Sequence, residues 1–217
     1  MKEKYFTDST VELCSRSMME ELRQLKLIRD EPLELGESAL IIIDMQRFFL
    51  EESSHAFIPS AGAITGRLER LADLFTERGM PVYLTRHINS AGEGGMMEKW
   101  WGELIEEKDP LSEICAELEK KGETIKKTGY DAFFRTGLEQ ILKERGVRRV
   151  VITGVMTHIC CTATALSAFA AGFGVIFPVD GTATGNRLFH EAALLNLAHS
   201  CARMVTVNQV AEAMEQG

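Results

Sequence analysis

Short apolar runs recur along the chain and are separated by longer stretches in which apolar residues return every three or four positions. The run Ala39 to Ile43 has the character of a strand buried on both faces of a parallel sheet, and Val82 to Thr85 follows as a second. Glu123 to Lys126, Arg148 to Gly154, Gly174 to Asp180 and Arg203 to Val207 complete a set of six. Between them, Ala61 to Arg78 carries Ile64, Leu68, Leu71, Leu74 and Phe75 on one helical stripe and ends at Gly79. Phe133 to Lys143, Thr162 to Ala171, Thr184 to Ser200 and a last segment through Ala213 are the other helices expected after the first strand. Strands alternating with helices predict an α/β protein: a three-layer αβα, doubly wound, Rossmann-like sheet of about six parallel strands.

Residues 1–35 are charge-rich, with Val11, Leu13, Met18, Leu22, Leu25 and Ile28 at loosely helical spacing. They read as an N-terminal helical extension ahead of one domain, residues 36–217. Its stripe (Leu22, Leu25, Ile28) must be buried against the domain or against a second subunit, and a homo-oligomer is expected.

Val150 to Val179 contains no Asp, Glu, Lys or Arg and is long enough to suggest a membrane span. Gly154, Thr157, His158, Gly172, Gly174 and Pro178 punctuate it where strand, turn, helix and strand would meet, which argues against a span. With 217 residues, 45% hydrophobic and 26% charged, the chain suits a single domain with a sizeable core. A net charge of -8 and a pI near 5.3 disfavour nucleic acid and anionic membranes as partners and leave small molecules or proteins. Five cysteines without CxxC spacing, and no signal-peptide pattern, point to a reducing cytoplasm.

Within the charge-free stretch, Cys160 stands where a helix begins, and unpaired N–H groups there favour a thiolate. Asp44 closes the first strand, at the sheet edge that lines the ligand crevice in open α/β folds. Lys127 stands just past the third strand. A free cysteine has a pKa of about 8.5, so a nucleophile needs a positive neighbour and a proton acceptor. Lys127 and Asp44 would supply them. Trp100 and Trp101 are adjacent and cannot share one helix face.

Three stretches, ALIIIDMQ around Asp44, KKTGYDAF around Lys127 and GVMTHICCTATALSAF around Cys160, resemble in order and spacing the isochorismatase-like cysteine hydrolases. Within that family the chain looks most like the metal-free branch typified by N-carbamoylsarcosine amidase, a likeness shared by MMEKWWGELI. The resemblance covers about residues 39–207 and implies the isochorismatase-like form of the fold, with catalytic Asp44, Lys127 and Cys160, and a dimer or tetramer as the homo-oligomer. It also implies a cis peptide between Val155 and Met156, which turns the N–H of Met156, with that of Cys160, into an oxyanion hole. True isochorismatases carry a glycine where Cys160 stands. Substrate-pocket candidates are Gln46, Phe49, His87 and Trp100, together with Trp101, Tyr130 and Thr157. Where relatives often read DMQNDF, this chain has Arg47-Phe48-Phe49 after Gln46, so the pocket wall differs there. The nicotinamidase branch holds a metal with an Asp-x-His and further histidines; His55 and His87 are isolated here, so no metal and no cofactor is expected.

The activity implied is hydrolysis of an amide or carbamoyl C–N bond of a small molecule through a thioester. Two other readings are a thiol redox protein using Cys160 and Cys161, in which adjacent cysteines would bridge only with strain, and a non-catalytic binding member of the fold.

Overall fold

The computed structural model describes residues 2–90, 92 and 94–216. Ala91 and Glu93, in the polar loop expected between His87 and Gly95, lie outside the described residues. Six strands, β1 (Ser38–Ile43), β2 (Val82–His87), β3 (Glu123–Lys127), β4 (Arg149–Val155), β5 (Gly174–Pro178) and β7 (Ala202–Val205), form a parallel sheet in the order β3-β2-β1-β4-β5-β7. A seventh strand of two residues, β6 (Thr182–Ala183), pairs with the end of β4. It lacks an apolar run, which is why the sequence pattern shows six. Every residue of β1 is buried, as its unbroken apolar run requires of a central strand covered on both faces.

The helices are α1 (Val11–Gln24), α2 (Arg47–Leu50), α3 (Gly62–Glu77), α4 (Met96–Trp101), α5 (Leu138–Glu144), α6 (Thr162–Ala170), α7 (Arg187–Ser200) and α8 (Val207–Gln216). On α3 the stripe Ile64, Leu68, Leu71 and Phe75 is buried, as the spacing predicts. The extension joins the same hydrophobic core through Val11, Met18, Met19 and Leu22. The expected stripe therefore divides: Leu22 is covered by its own domain, Leu25 past the helix end is 58% exposed, and Ile28 is half-buried. Among the described residues, no helix is long and apolar enough to cross a membrane.

Three boundaries differ from the pattern. Lys127 is the last residue of β3 rather than one beyond it. Residues 133–137 are not helical. The Asp131 side chain accepts from the N–H of Phe133 (2.8 Å), and Gly137, at φ 79°, precedes α5. The seventh helix begins at Arg187, not Thr184, because the Asn186 side chain accepts from Phe189 N–H (2.9 Å) as its N-cap.

Gly154 marks where β1 and β4 come closest. Its φ is 102°, and a Cβ there would lie 2.1 Å from the Ile43 carbonyl oxygen. Gly154→Ala should cost about 3 kcal/mol or more, since neither the backbone angle nor the contact can be relieved without parting the two central strands. A urea midpoint equal to wild type would contradict this.

Candidate active site

The chain lays β1, β2 and β3 outward on one side, then returns to the centre and adds β4, β5 and β7 on the other. Between β1 and β4 consecutive connections diverge, and a crevice opens at the carboxyl ends of the strands. Asp44 follows β1, Lys127 ends β3, and the loop leaving β4 carries the nucleophile candidate, so three residues far apart in sequence meet at one edge. The non-proline peptide between Val155 and Met156 is cis. Thr157–Cys161 then form a single π-helical turn ahead of α6, a local form found mostly at functional sites.

Asp44 sits in the left-handed region at φ 49°, which aspartate tolerates better than most residues. Thr85 on β2 holds it twice: the Thr85 hydroxyl donates to Asp44 Oδ1 (2.6 Å) and accepts the Asp44 N–H (3.0 Å). Asp44 Oδ2 lies 2.7 Å from Lys127 Nζ, with both side chains shut off from solvent (1% and 0% exposed). Lys127 Nζ also donates to the carbonyls of Gly129 (2.8 Å) and Tyr130 (3.1 Å) and faces His87 Nδ1 at 3.4 Å. Burial works against the ammonium charge, but Asp44 and Cys160 outweigh it and raise the Lys127 pKa.

Cys160 differs from the sequence expectation. Burial pushes its thiol up to about 12, against the lowering influence of Lys127; Asp44 raises it further, and a backbone hydrogen bond from Met156 lowers it. Lys127 already balances Asp44, so a resting thiolate would add a second buried anion to one cation. The ground state is therefore a thiol beside a carboxylate rather than a stored thiolate. Cys161 is turned away, its sulfur donating to the Thr153 carbonyl at 3.8 Å in the core. That geometry does not favour a vicinal dithiol.

Since the Lys127 ammonium can only donate, His87 Nδ1 is the acceptor and His87 Nε2–H donates to Asn89 Oδ1 (2.6 Å), while Asn89 Nδ2 donates to the Thr128 carbonyl (3.0 Å). Burial, then Lys127, lowers the His87 pKa and keeps it neutral. Behind the π-turn, buried His190 accepts from the Thr157 hydroxyl at Nδ1 (2.9 Å) and donates to the Val179 carbonyl at Nε2 (3.1 Å). Burial brings its pKa down to about 3. A histidine favoured neutral in the fold stabilises fully above its unfolded pKa of about 6.5, and that contribution is lost as pH falls below it, on the order of 5 kcal/mol by the time His190 is fully charged. Unfolding free energy should fall steadily from pH 6.5 toward pH 4; a flat profile over that range would contradict the buried neutral imidazole.

In front of Cys160 lies a cavity of about 280 Å³ with walls that are mainly aromatic and aliphatic. Of the expected pocket residues, Phe49, His87, Trp101 and Tyr130 line it, as does Met156, expected as an oxyanion donor. Trp101 Nε1 donates to the Tyr130 hydroxyl (2.7 Å), joining two walls. Three expected residues lie elsewhere. Trp100 is 75% exposed on the outer face of α4. Gln46 is buried beneath the site, bonded to both backbone groups of His87 (2.8 and 3.0 Å) and to the Ser112 carbonyl. Thr157 is behind the turn on His190. Asn89, Phe189 and Lys2 line the cavity without having been marked by any motif, and His158 lines it from within the motif around Cys160. His55 Nδ1 lies 2.7 Å from a Glu103 carboxylate oxygen in its wall.

Fold and site together define a doubly wound α/β protein with a buried Cys–Asp–Lys centre at the switch point of its sheet. Residues 38–209 match the model of the isochorismatase domain. Nicotinamidase 3 of Arabidopsis thaliana is 36% identical over 179 residues, covering 80% of this chain and 86% of the relative. A cysteine hydrolase from Pseudomonas syringae superposes with a TM-score of 0.81 at 22% identity, covering 87% of this chain and 97% of that one. Pyrazinamidase of Pyrococcus horikoshii in complex with zinc superposes with a TM-score of 0.72 at 28% identity, covering 79% and 99%. The chain belongs to the isochorismatase family of hydrolases.

The zinc in the Pyrococcus protein raises the question of fit. Among the described residues, no three His, Cys, Asp or Glu side chains converge on a point. Both His87 ring nitrogens are engaged, one by an ammonium that would repel a cation. These side chains do not fit a zinc site, and no step is derived through one.

Proposed function

We propose that the protein hydrolyses a C–N bond of a small neutral amide or carbamoyl compound through a thioester on Cys160. The observation that carries this reading is the meeting of the Cys160 thiol, the Asp44 carboxylate and the Lys127 ammonium at the end of a mainly apolar cavity. Asp44 takes the thiol proton as sulfur attacks the carbonyl carbon, so the buried site never holds two unbalanced anions. The resulting oxyanion is received by the N–H groups of Met156 and Cys160. Asp44 returns the proton to the leaving nitrogen, and the C–N bond breaks. Water, deprotonated by the same carboxylate, then hydrolyses the thioester and restores the thiol. Lys127, paired with Asp44, offsets the single negative charge as it passes from Asp44 to the reacting centre and back.

The non-reacting part of the substrate is apolar. Phe49, Ile58, Trp101, Ile105 and Phe189 offer flat or aliphatic surface, and the cavity volume equals that of about nine liquid waters. Burial lowers the pKa of both His87 and His158 and favours their uncharged forms. Beside these rings and neutral imidazoles a charged substrate body would be desolvated, and the lining's one basic and one acidic side chain, Lys2 and Glu103, give no net charge to favour either sign. Similarity to a protein named Nicotinamidase 3 supports a carboxamide as the reacting group. Ammonia release should be measured with uncharged aromatic and aliphatic primary amides, nicotinamide, and ureido acids carrying a carboxylate. Uncharged amides should be turned over, with chelator-treated enzyme as active as untreated. Release from none of these, or activity lost to chelation and restored by zinc, iron or manganese, would overturn the reading.

A further inference from the structure

Residues 2–6 precede the segment matched to the family, residues 38–209, yet they are built into the wall behind Cys160. Tyr5 and Phe6 are buried, and the N–H groups of both donate to Ser60 Oγ (3.0 and 3.1 Å). From this anchorage two chains of contacts reach the residues between Met156 and Cys160. In the first, the Tyr5 hydroxyl accepts the Thr184 N–H (2.9 Å), and Thr184 Oγ1 meets His158 Nδ1 (2.6 Å). In the second, the rings of Tyr5 and Phe6 pack on His190 at 5.2 and 5.3 Å, and His190 holds the Thr157 hydroxyl. Glu3 ties the same region down from outside: its N–H donates to the Gly185 carbonyl (2.8 Å), and its carboxylate accepts the N–H of Arg187, the first residue of α7 (3.0 Å). Lys2 reaches the cavity itself.

A π-turn adds a residue to a helical turn and weakens its regular hydrogen-bond ladder, so side-chain partners decide where its residues point. Here those partners, Thr184 and His190, are both set by Tyr5. We propose that residues 2–6 are an active-site arm and that Tyr5 is a positioning residue, which aims the Cys160 thiol by fixing Thr157 and His158. The proposal rests on Cys160 being the nucleophile. It adds to the reaction a segment that the family match does not include.

The test uses the full chain and three variants. Tyr5→Phe keeps the ring and removes the acceptor for Thr184; Glu3→Ala alters an exposed side chain and releases the arm from α7; Lys4→Ala, on the exposed side of the arm, is the control. The rate of iodoacetamide alkylation at Cys160, located by peptide mapping, is followed against pH, with kcat and KM on an amide that the wild type hydrolyses. Tyr5→Phe and Glu3→Ala should lower alkylation and kcat by about fivefold or more, with KM changed less than about twofold, because a misaimed thiol affects the attack rather than binding. Lys4→Ala should match wild type. If Tyr5→Phe only lowers the melting temperature, with alkylation and kcat as in wild type, the arm is merely structural and the proposal fails. Should Tyr5→Phe not fold, Glu3→Ala decides alone by the same criteria. Hydrolysis that persists in Cys160→Ala would instead remove the nucleophile reading, and this proposal with it.

Discussion

Cys160→Ala is expected to reduce hydrolysis by about 10⁴-fold or more, to the level left by binding and the oxyanion donors, whereas Cys161→Ala keeps most of the activity. The two residues are adjacent but meet different surroundings. Cys160 lines the cavity and lies within the influence of Asp44 and Lys127. The Cys161 sulfur is directed at the Thr153 carbonyl inside the core. Truncating Cys161 removes one buried sulfur and costs stability of about 1 kcal/mol by loss of packing, with no reacting atom displaced. Steady-state rates and unfolding midpoints for both variants separate the roles. Full activity in Cys160→Ala, or its loss in Cys161→Ala, would place the nucleophile one residue along.

Lys127→Met should affect stability and reactivity together. The Asp44–Lys127 pair is closed to solvent, and removing one partner of such a pair leaves a buried uncompensated charge, typically at a cost of about 3–5 kcal/mol. The carbonyls of Gly129 and Tyr130 also lose their donor. For Cys160 the sign follows from the groups around it: Lys127 is the cation that lowers the thiol pKa, and Asp44 raises it. Without the cation the pKa moves further up, and an opposite charge at this range is worth one to three units. Iodoacetamide alkylation of Cys160 should therefore become about tenfold or more slower at a given alkaline pH. Lys126→Met is the control, since Lys126 points to the other face of β3, exposed and paired with Glu107. Identical alkylation profiles for wild type and both variants would return Lys127 to a structural role.

The parts of this molecule legible in the sequence are those that repeat a period or end an element. The long strands and α3 announce themselves by apolar spacing, and Asp44, Lys127 and Cys160 stand out because each closes or follows a strand. Thr85 is not legible, because a threonine in a β-rich run is an ordinary strand residue. Its role depends on β2 lying beside β1 in a register that sets its hydroxyl against Asp44. The protonation state of Cys160 is not legible for a related reason. Proximity to a helix start and to a lysine can be read from spacing, whereas complete burial, the dominant influence on that thiol, is a property of the packed whole. Gln46 and Trp100 show the same limit: the residue type suggested a pocket, and the fold placed one under the floor and the other in solvent.

The switch point between β1 and β4 divides the chemistry along the chain. Base and cation arrive with the part that ends at β3, the sulfur with the part that begins at β4, and neither half holds both the group that attacks and the group that takes its proton. A chain cut in the irregular stretch 128–137 would yield two inert fragments, and activity regained on mixing them would report directly that the β1–β4 seam had closed.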